Sequence, residues 1–120
     1  MIAFLRCNTD HHTLALLASP RPGFHHASFQ VGSVDEIAMG AVRMADRGWQ
    51  PGWGLGRHVI GSNFFYYIRD PWGGFAEYYF DLDCIPEDCA WQPRDFPGED
   101  SLYIWGPPVP DDFGENKEVA

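Results

Sequence analysis

The sequence is poor in positive charge, in pairable cysteines and in long apolar runs, and each shortage removes a class of function. Lysine and arginine number 8 against 17 aspartates and glutamates, a formal net charge of -9. Nucleic acids and anionic membranes are bound through a basic footprint, so neither is expected as a partner, and a small soluble ligand is the better expectation. Three cysteines, Cys7, Cys84 and Cys89, cannot all pair within one chain. No disulfide framework is read from them, which favours a reducing compartment and a cytoplasmic protein. Cys84 and Cys89 have four residues between them and no second pair follows, so no zinc knuckle is expected. No apolar segment approaches the roughly 20 residues that span a bilayer. The opening MIAFLRCN is broken by Arg6 and lacks a small-residue cleavage site, so it reads as a strand rather than an export signal. The acids Glu87, Asp88, Asp95, Glu99, Asp100, Asp111 and Asp112 lack the spacing and glycine of a calcium loop, and a solvated surface is expected of them.

What the sequence does have is apolar and aromatic material for one core. Its 120 residues fit a single domain, and 45% are hydrophobic and 16% aromatic. The runs IAFLRC (2–7) and HTLALLA (12–18), separated by Asn8, Thr9 and Asp10, suggest a β-hairpin over residues 2–18. Ser19-Pro20-Arg21-Pro22-Gly23 then breaks the chain. In FHHASFQV the residues Ala27, Phe29 and Val31 alternate with His26, Ser28 and Gln30, as on a strand with one apolar and one polar face. From Ser33 the period lengthens. Val34, Ile37, Ala38, Ala41, Met44 and Ala45 form a helical stripe, Ser33 and Glu36 are spaced as a capping box, and Gly48 is placed to stop the helix.

After a loop, WQPGW, three strand-like pieces follow, LGRHVI, NFFYYIR and FAEYYFD. The expected order is β, β, β, α, β, β, β, an α+β fold in which a βαβββ module over 24–81 follows the hairpin. The hairpin reads as the tail of a second such unit, so residues 1–81 are expected to form a partial domain. Residues 82–120 are rich in proline, tryptophan and acids. They are expected to wrap the domain in extended form, anchored by Trp91, Leu102, Ile104 and Trp105, with the final GENKEVA frayed.

The chemistry-bearing residues fall on these strands. By alternation His26 shares the polar face of Ser28 and Gln30, whereas His25 shares the face of Ala27 and Phe29 and is expected as a structural residue beneath the helix. Glu77 lies among Phe75, Tyr78, Tyr79 and Phe80. A carboxylate in such a strand requires a partner, because burying it uncompensated is costly, and a metal is the expected one.

The stretches RCNTDHHTLAL, GFHHASFQV, GLGRH and FFYYIRDPWGGFAEYYF, in this order, resemble the C-terminal domain of type I extradiol ring-cleavage dioxygenases of the vicinal oxygen chelate superfamily. The resemblance covers roughly residues 4–81. Its most specific part is Tyr67, Pro71, Gly73 and the pair Glu77-Tyr78. It implies metal ligation by His26 and Glu77, with Fe(II), or alternatively Mn(II) or another divalent metal, as cofactor and a catecholic diol and O2 as substrates. It also implies that His12 acts as acid–base and that His58 and Tyr67 hold the substrate hydroxyl.

A facial triad takes two histidines and one carboxylate, and the matching residues supply one of each. The expectation is therefore a form truncated at the N-terminus that associates with a missing N-terminal portion, or a homodimer whose two modules complete one cup. Two other readings stay open: a ligand-binding or glyoxalase-like dimer of the same fold, and an inactive fragment.

Overall fold

The computed structural model describes residues 1–98, 101–115 and 118–119. Two short strands, β1 (Ile2–Leu5) and β2 (Leu14–Leu17), pair antiparallel as the expected hairpin, with Ile2 opposite Leu17 and Leu5 opposite Leu14. The strands are shorter than the apolar runs, and residues 6–13 form their connection. There the Asn8 side chain accepts from the Asp10 amide at 3.1 Å and donates to its carboxylate at 3.0 Å, the local closure that asparagine offers a turn. The connection is tied to the chain just after the last strand of the module. His11 N donates to Asp83 O at 2.8 Å and Ile85 N to Thr9 O at 2.7 Å, with Ile85 buried. His12 therefore lies in the connection, not on a strand.

Residues 24–81 fold as the expected βαβββ module. The two-residue β3 (Gly23–Phe24) leads into β4 (His26–Gln30), followed by α1 (Val34–Asp46), β5 (Pro51–His58), β6 (Phe64–Arg69) and β7 (Phe75–Phe80). β4 pairs parallel with β7, and β7, β6 and β5 run antiparallel in turn, giving a mixed sheet in the order β4-β7-β6-β5. The sheet exceeds the expectation at one point, since β5 begins at Pro51 inside the stretch read as a loop. Two glycines allow this. A side chain at Gly52 would collide with the Phe75 ring, and Gly54 has φ +127°, a region open to glycine alone at no cost.

Helix α1 starts as its sequence dictates. Ser33 caps it by accepting from Glu36 N at 3.1 Å, while the Glu36 carboxylate reaches back to Gly32 N at 2.7 Å. The buried stripe is narrower than the sequence pattern. Ile37 is fully buried, Gly40, Ala41 and Met44 are half-buried, and Ala38 and Ala45 face solvent. Gly40 belongs to the stripe because Tyr78 packs onto it; a Cβ there would lie 2.7 Å from the ring.

The opposite face of the sheet carries the aromatic core of Trp53, Phe65, Tyr67 and Phe75. The tail covers it. β8 (Tyr103–Trp105) adds to the outer edge of β5, and Leu102, Tyr103, Val109 and Phe113 pack on the core. Trp53 Nε1 donates to Pro107 O at 2.9 Å, and Arg69 clamps Asp112 through two bonds of 2.7 Å. Of the expected anchors, Leu102 is one, Trp91 meets His11 edge-on at 5.7 Å and Trp105 meets Phe64 edge-on at 6.0 Å, but Ile104 is exposed on β8. Strand alternation puts Tyr103 inside and Ile104 outside. In place of fraying, β9 (Glu118–Val119) pairs with β3. Glu99, Asp100, Asn116, Lys117 and Ala120, expected to be solvated or frayed, lie outside the described residues.

Phe65→Ala should cost about 3–5 kcal/mol by opening a cavity under Trp53 and His58, whereas Val42→Ala on the exposed side of α1 should stay within about 0.5 kcal/mol. Urea midpoints measure both, and equal shifts would contradict this placement of the core.

Candidate metal centre

The sheet register assembles the site. Glu77 sits in the middle of β7, opposite Tyr67 on β6 and Ser28 on β4, and Tyr67 in turn lies opposite Trp53 on β5. Residues paired across strands share a face, so Ser28, Glu77, Tyr67 and Trp53 form one row across the sheet. His26, two residues before Ser28, points the same way. His58 ends β5 and is turned toward the row by stacking on Phe65, with ring centres 4.0 Å apart.

Glu77 is the centre of this arrangement and is 5% exposed. Its Oε2 accepts a short hydrogen bond from Ser28 Oγ and lies 3.5 Å from His26 Nε2. Its Oε1 lies 3.7 Å from His58 Nε2 and is buried without a hydrogen-bond partner. Burial pushes the Glu77 carboxyl up, but the His26 and His58 imidazoles beside it outweigh burial and hold it at about 2. The group is thus a buried anion. Tyr67 Oη lies 3.2 Å from His58 Nε2. Its burial, reinforced by the Glu77 charge, raises its pKa well above 10, so it stays a hydroxyl donor.

His12 enters from the hairpin connection. Its ring packs on Phe4 at 4.6 Å and against the positive-φ Gly61, where a Cβ would lie 3.2 Å from His12 Cε1. Its Nδ1 is 3.0 Å from His11 Nδ1. Burial, helped by His11, His58 and His26 and opposed by Glu77, pulls the His12 pKa down to about 4. The ring is therefore neutral at physiological pH and able to accept a proton.

The structure thus brings His26, His58, Tyr67 and Glu77 together and sets His12 within their electrostatic reach. Three contributors escaped the sequence reading. Ser28 was placed on the polar face with no task, and it is the hydrogen-bond donor to Glu77. The tail supplies two main-chain carbonyls that no side-chain pattern can reveal: Leu102 O, 2.7 Å from His58 Nδ1, and Phe113 O, 2.6 Å from His25 Nε2. His25 consequently packs under the tail, between Phe75 and Phe113, rather than beneath the helix as expected.

The donor set fits part of a metal's coordination shell. Two donors each about 2.1 Å from one ion lie roughly 3–3.5 Å apart, as His26 Nε2 and Glu77 Oε2 do at 3.5 Å. The unpartnered Oε1 is an anionic atom that only a cation or a donor can satisfy. Among the described residues, however, no three His, Cys, Asp or Glu side chains are grouped to hold an ion by themselves. Among those residues, too, no helix is long and apolar enough to cross a membrane, and Cys7, Cys84 and Cys89 are free and exposed.

Known proteins share this arrangement of elements. Metapyrocatechase 2 of Cupriavidus necator is 52% identical over 99% of this chain, which spans 38% of that protein. The crystal structure of the Mn(II)-bound glyoxalase from Novosphingobium aromaticivorans superposes with a TM-score of 0.79 at 35% identity, covering 88% of this chain and 35% of the other. That of 2,2',3-trihydroxybiphenyl 1,2-dioxygenase from Sphingomonas wittichii strain RW1 gives a TM-score of 0.80 at 26% identity, over 91% of this chain and 38% of that one. The chain thus spans well under half the length of these relatives. A family profile matches residues 1–78, and with the mixed sheet, the single helix and the placement of Glu77 it shows that the chain belongs to the Glyoxalase/Bleomycin resistance protein/Dioxygenase superfamily.

Proposed function

We propose that this chain is the metal-carrying portion of an extradiol ring-cleavage dioxygenase acting on catecholic diols with O2. The observation that carries the reading is the buried Glu77 carboxylate with one oxygen unpartnered and the His26 and His58 nitrogens facing it. In a ligand-binding protein or an inactive remnant such a group would be a liability of several kcal/mol. The similarity to metapyrocatechase 2 supports the same choice.

His26 and Glu77 would hold the ion, Fe(II) in preference to Mn(II), and imidazole with carboxylate suits either. The ion, when bound, supplies a docking point for the diol oxygens and for O2 and lets electron density pass between them. The remaining work belongs to the protein. His12, kept neutral by its depressed pKa, takes the substrate hydroxyl proton at Nε2 in the tautomer whose Nδ1–H donates to His11. Tyr67 and His58, joined at 3.2 Å, orient the substrate hydroxyl. The aromatic wall of Trp53, Phe65 and Phe113 keeps water from the buried side of Glu77.

We further propose that residues 1–81 form one structural unit with 82–120 as its covering tail, that the protein works in the cytoplasm, and that the third ligand comes from outside residues 1–120. Its source is a second copy of this chain or a further module of the same kind. The support is an open sheet edge at β4 beside exposed Phe29, and a β1–β2 ribbon exposing Ile2, Leu5, Leu14, Leu16 and Leu17. Such surfaces are normally covered.

Iron content, measured by elemental analysis after reconstitution, should fall by more than tenfold in His26→Ala and in Glu77→Ala. Full occupancy in both variants would sink the assignment. His12→Ala should keep its metal yet lose about 10²–10⁴-fold in catechol cleavage, followed as appearance of the yellow ring-opened product. An unchanged rate removes His12 from the mechanism, and no cleavage by the iron-loaded chain, whether alone, as a dimer or joined to a further module of the same kind, removes the ring-cleavage reading. Light scattering with metal analysis should give a dimer carrying shared ions; a monomer binding metal stoichiometrically would contradict the second-copy arrangement.

A further inference from the structure

The ring nitrogens of His25 and His26 form a chain that ends on the tail. His25 Nε2 lies 2.6 Å from the main-chain oxygen of Phe113, and His25 Nδ1 lies 2.6 Å from His26 Nδ1. A carbonyl oxygen only accepts, so His25 Nε2 carries the hydrogen. A neutral imidazole has one N–H, which leaves His25 Nδ1 an acceptor. Its neighbour must then donate, so a neutral His26 carries its hydrogen on Nδ1 and leaves Nε2 bare. That bare nitrogen is the one 3.5 Å from Glu77 Oε2.

The relay is mechanically held. The His25 ring stacks on Phe75 with centroids 5.6 Å apart and meets Phe113 edge-on at 5.1 Å. One residue before Phe113, Asp112 is gripped by both Arg69 nitrogens at 2.7 Å, and the Arg69 guanidinium lies 4.7 Å over the Phe75 ring. The carbonyl is thus fixed to the same sheet that carries Glu77.

We propose that the Phe113 carbonyl, acting through His25 as a positioning residue, locks His26 in the Nδ1–H tautomer and so aims the Nε2 lone pair at the cation site beside Glu77. Outer partners of this kind orient metal-binding imidazoles and keep the ligating nitrogen unprotonated. The inference rests on the metal-centre reading for its purpose, but the tautomer itself is a property of the metal-free chain. It gives the tail a task beyond covering the core.

Long-range proton–nitrogen NMR of the metal-free full chain, labelled with 15N-histidine, reads the tautomer directly. The unmodified protein should show His26 as Nδ1–H. His25→Phe, which keeps a ring but no nitrogen, should lose that preference, and its Zn(II) affinity by calorimetry should fall about 10–100-fold. His25→Gln should restore both, since its amide NH₂ can donate to Phe113 O while its oxygen accepts from His26. An Nε2–H form of His26 in the unmodified protein overturns the proposal whatever the variants do, and so does an unchanged tautomer in folded His25→Phe. An Nδ1–H form in a chain that binds no Zn(II) supports the relay and sinks the metal-centre reading; tight Zn(II) binding with an Nε2–H form does the reverse.

Discussion

A carboxylate buried in the middle of an aromatic sheet face is the constraint on which the rest of this structure depends. Uncompensated, such a charge costs several kcal/mol, yet Glu77 is held ionised, its carboxyl at about 2. One of its oxygens accepts from Ser28, and the other has no hydrogen bond, with His58 Nε2 3.7 Å away. Around it the sheet register places His26, His58 and Tyr67, and the Leu102 carbonyl fixes the His58 ring so that, when neutral, its Nε2 lone pair also faces the carboxylate. With both rings neutral, nitrogen lone pairs and an anion converge on one small volume, an arrangement that asks for a cation.

The tail reads differently in this light. Beside the clamp of Asp112 by Arg69, it delivers main-chain oxygens from Leu102, Pro107 and Phe113 to His58, Trp53 and His25. An extended, proline-rich segment has unpaired carbonyls to offer, because it makes few hydrogen bonds within itself. The same segment closes the aromatic core. Shaping the core and orienting the histidines are one interaction seen from two sides.

Much of the module was legible because its signals are local. The change of period at Ser33, the Ser33–Glu36 cap and the alternation through His26, Ser28 and Gln30 each follow from geometry within a few residues. The position of His12 was not, because its loop is held by backbone bonds to Asp83 and Ile85, some seventy residues away in sequence. The start of β5 at Pro51 was missed because glycine and proline read as loop, whereas here Gly52 and Gly54 permit the close approach of Phe75 and Phe65. The tail carbonyls were invisible for a different reason, since hydrogen bonds to main chain leave no residue-type signature, and Ser28 meets Glu77 only through the pairing of β4 with β7. The site residues drawn from the family resemblance do lie around one carboxylate, and their individual roles rest on the proposal above.

The central claim is that a divalent cation belongs between His26 Nε2 and the Glu77 carboxylate. Anomalous diffraction at the iron edge from crystals grown with Fe(II) under anaerobic conditions tests it most directly. The account predicts one peak about 2.1 Å from both His26 Nε2 and a Glu77 oxygen. Iron bound elsewhere, with Glu77 still paired only to Ser28, would contradict it.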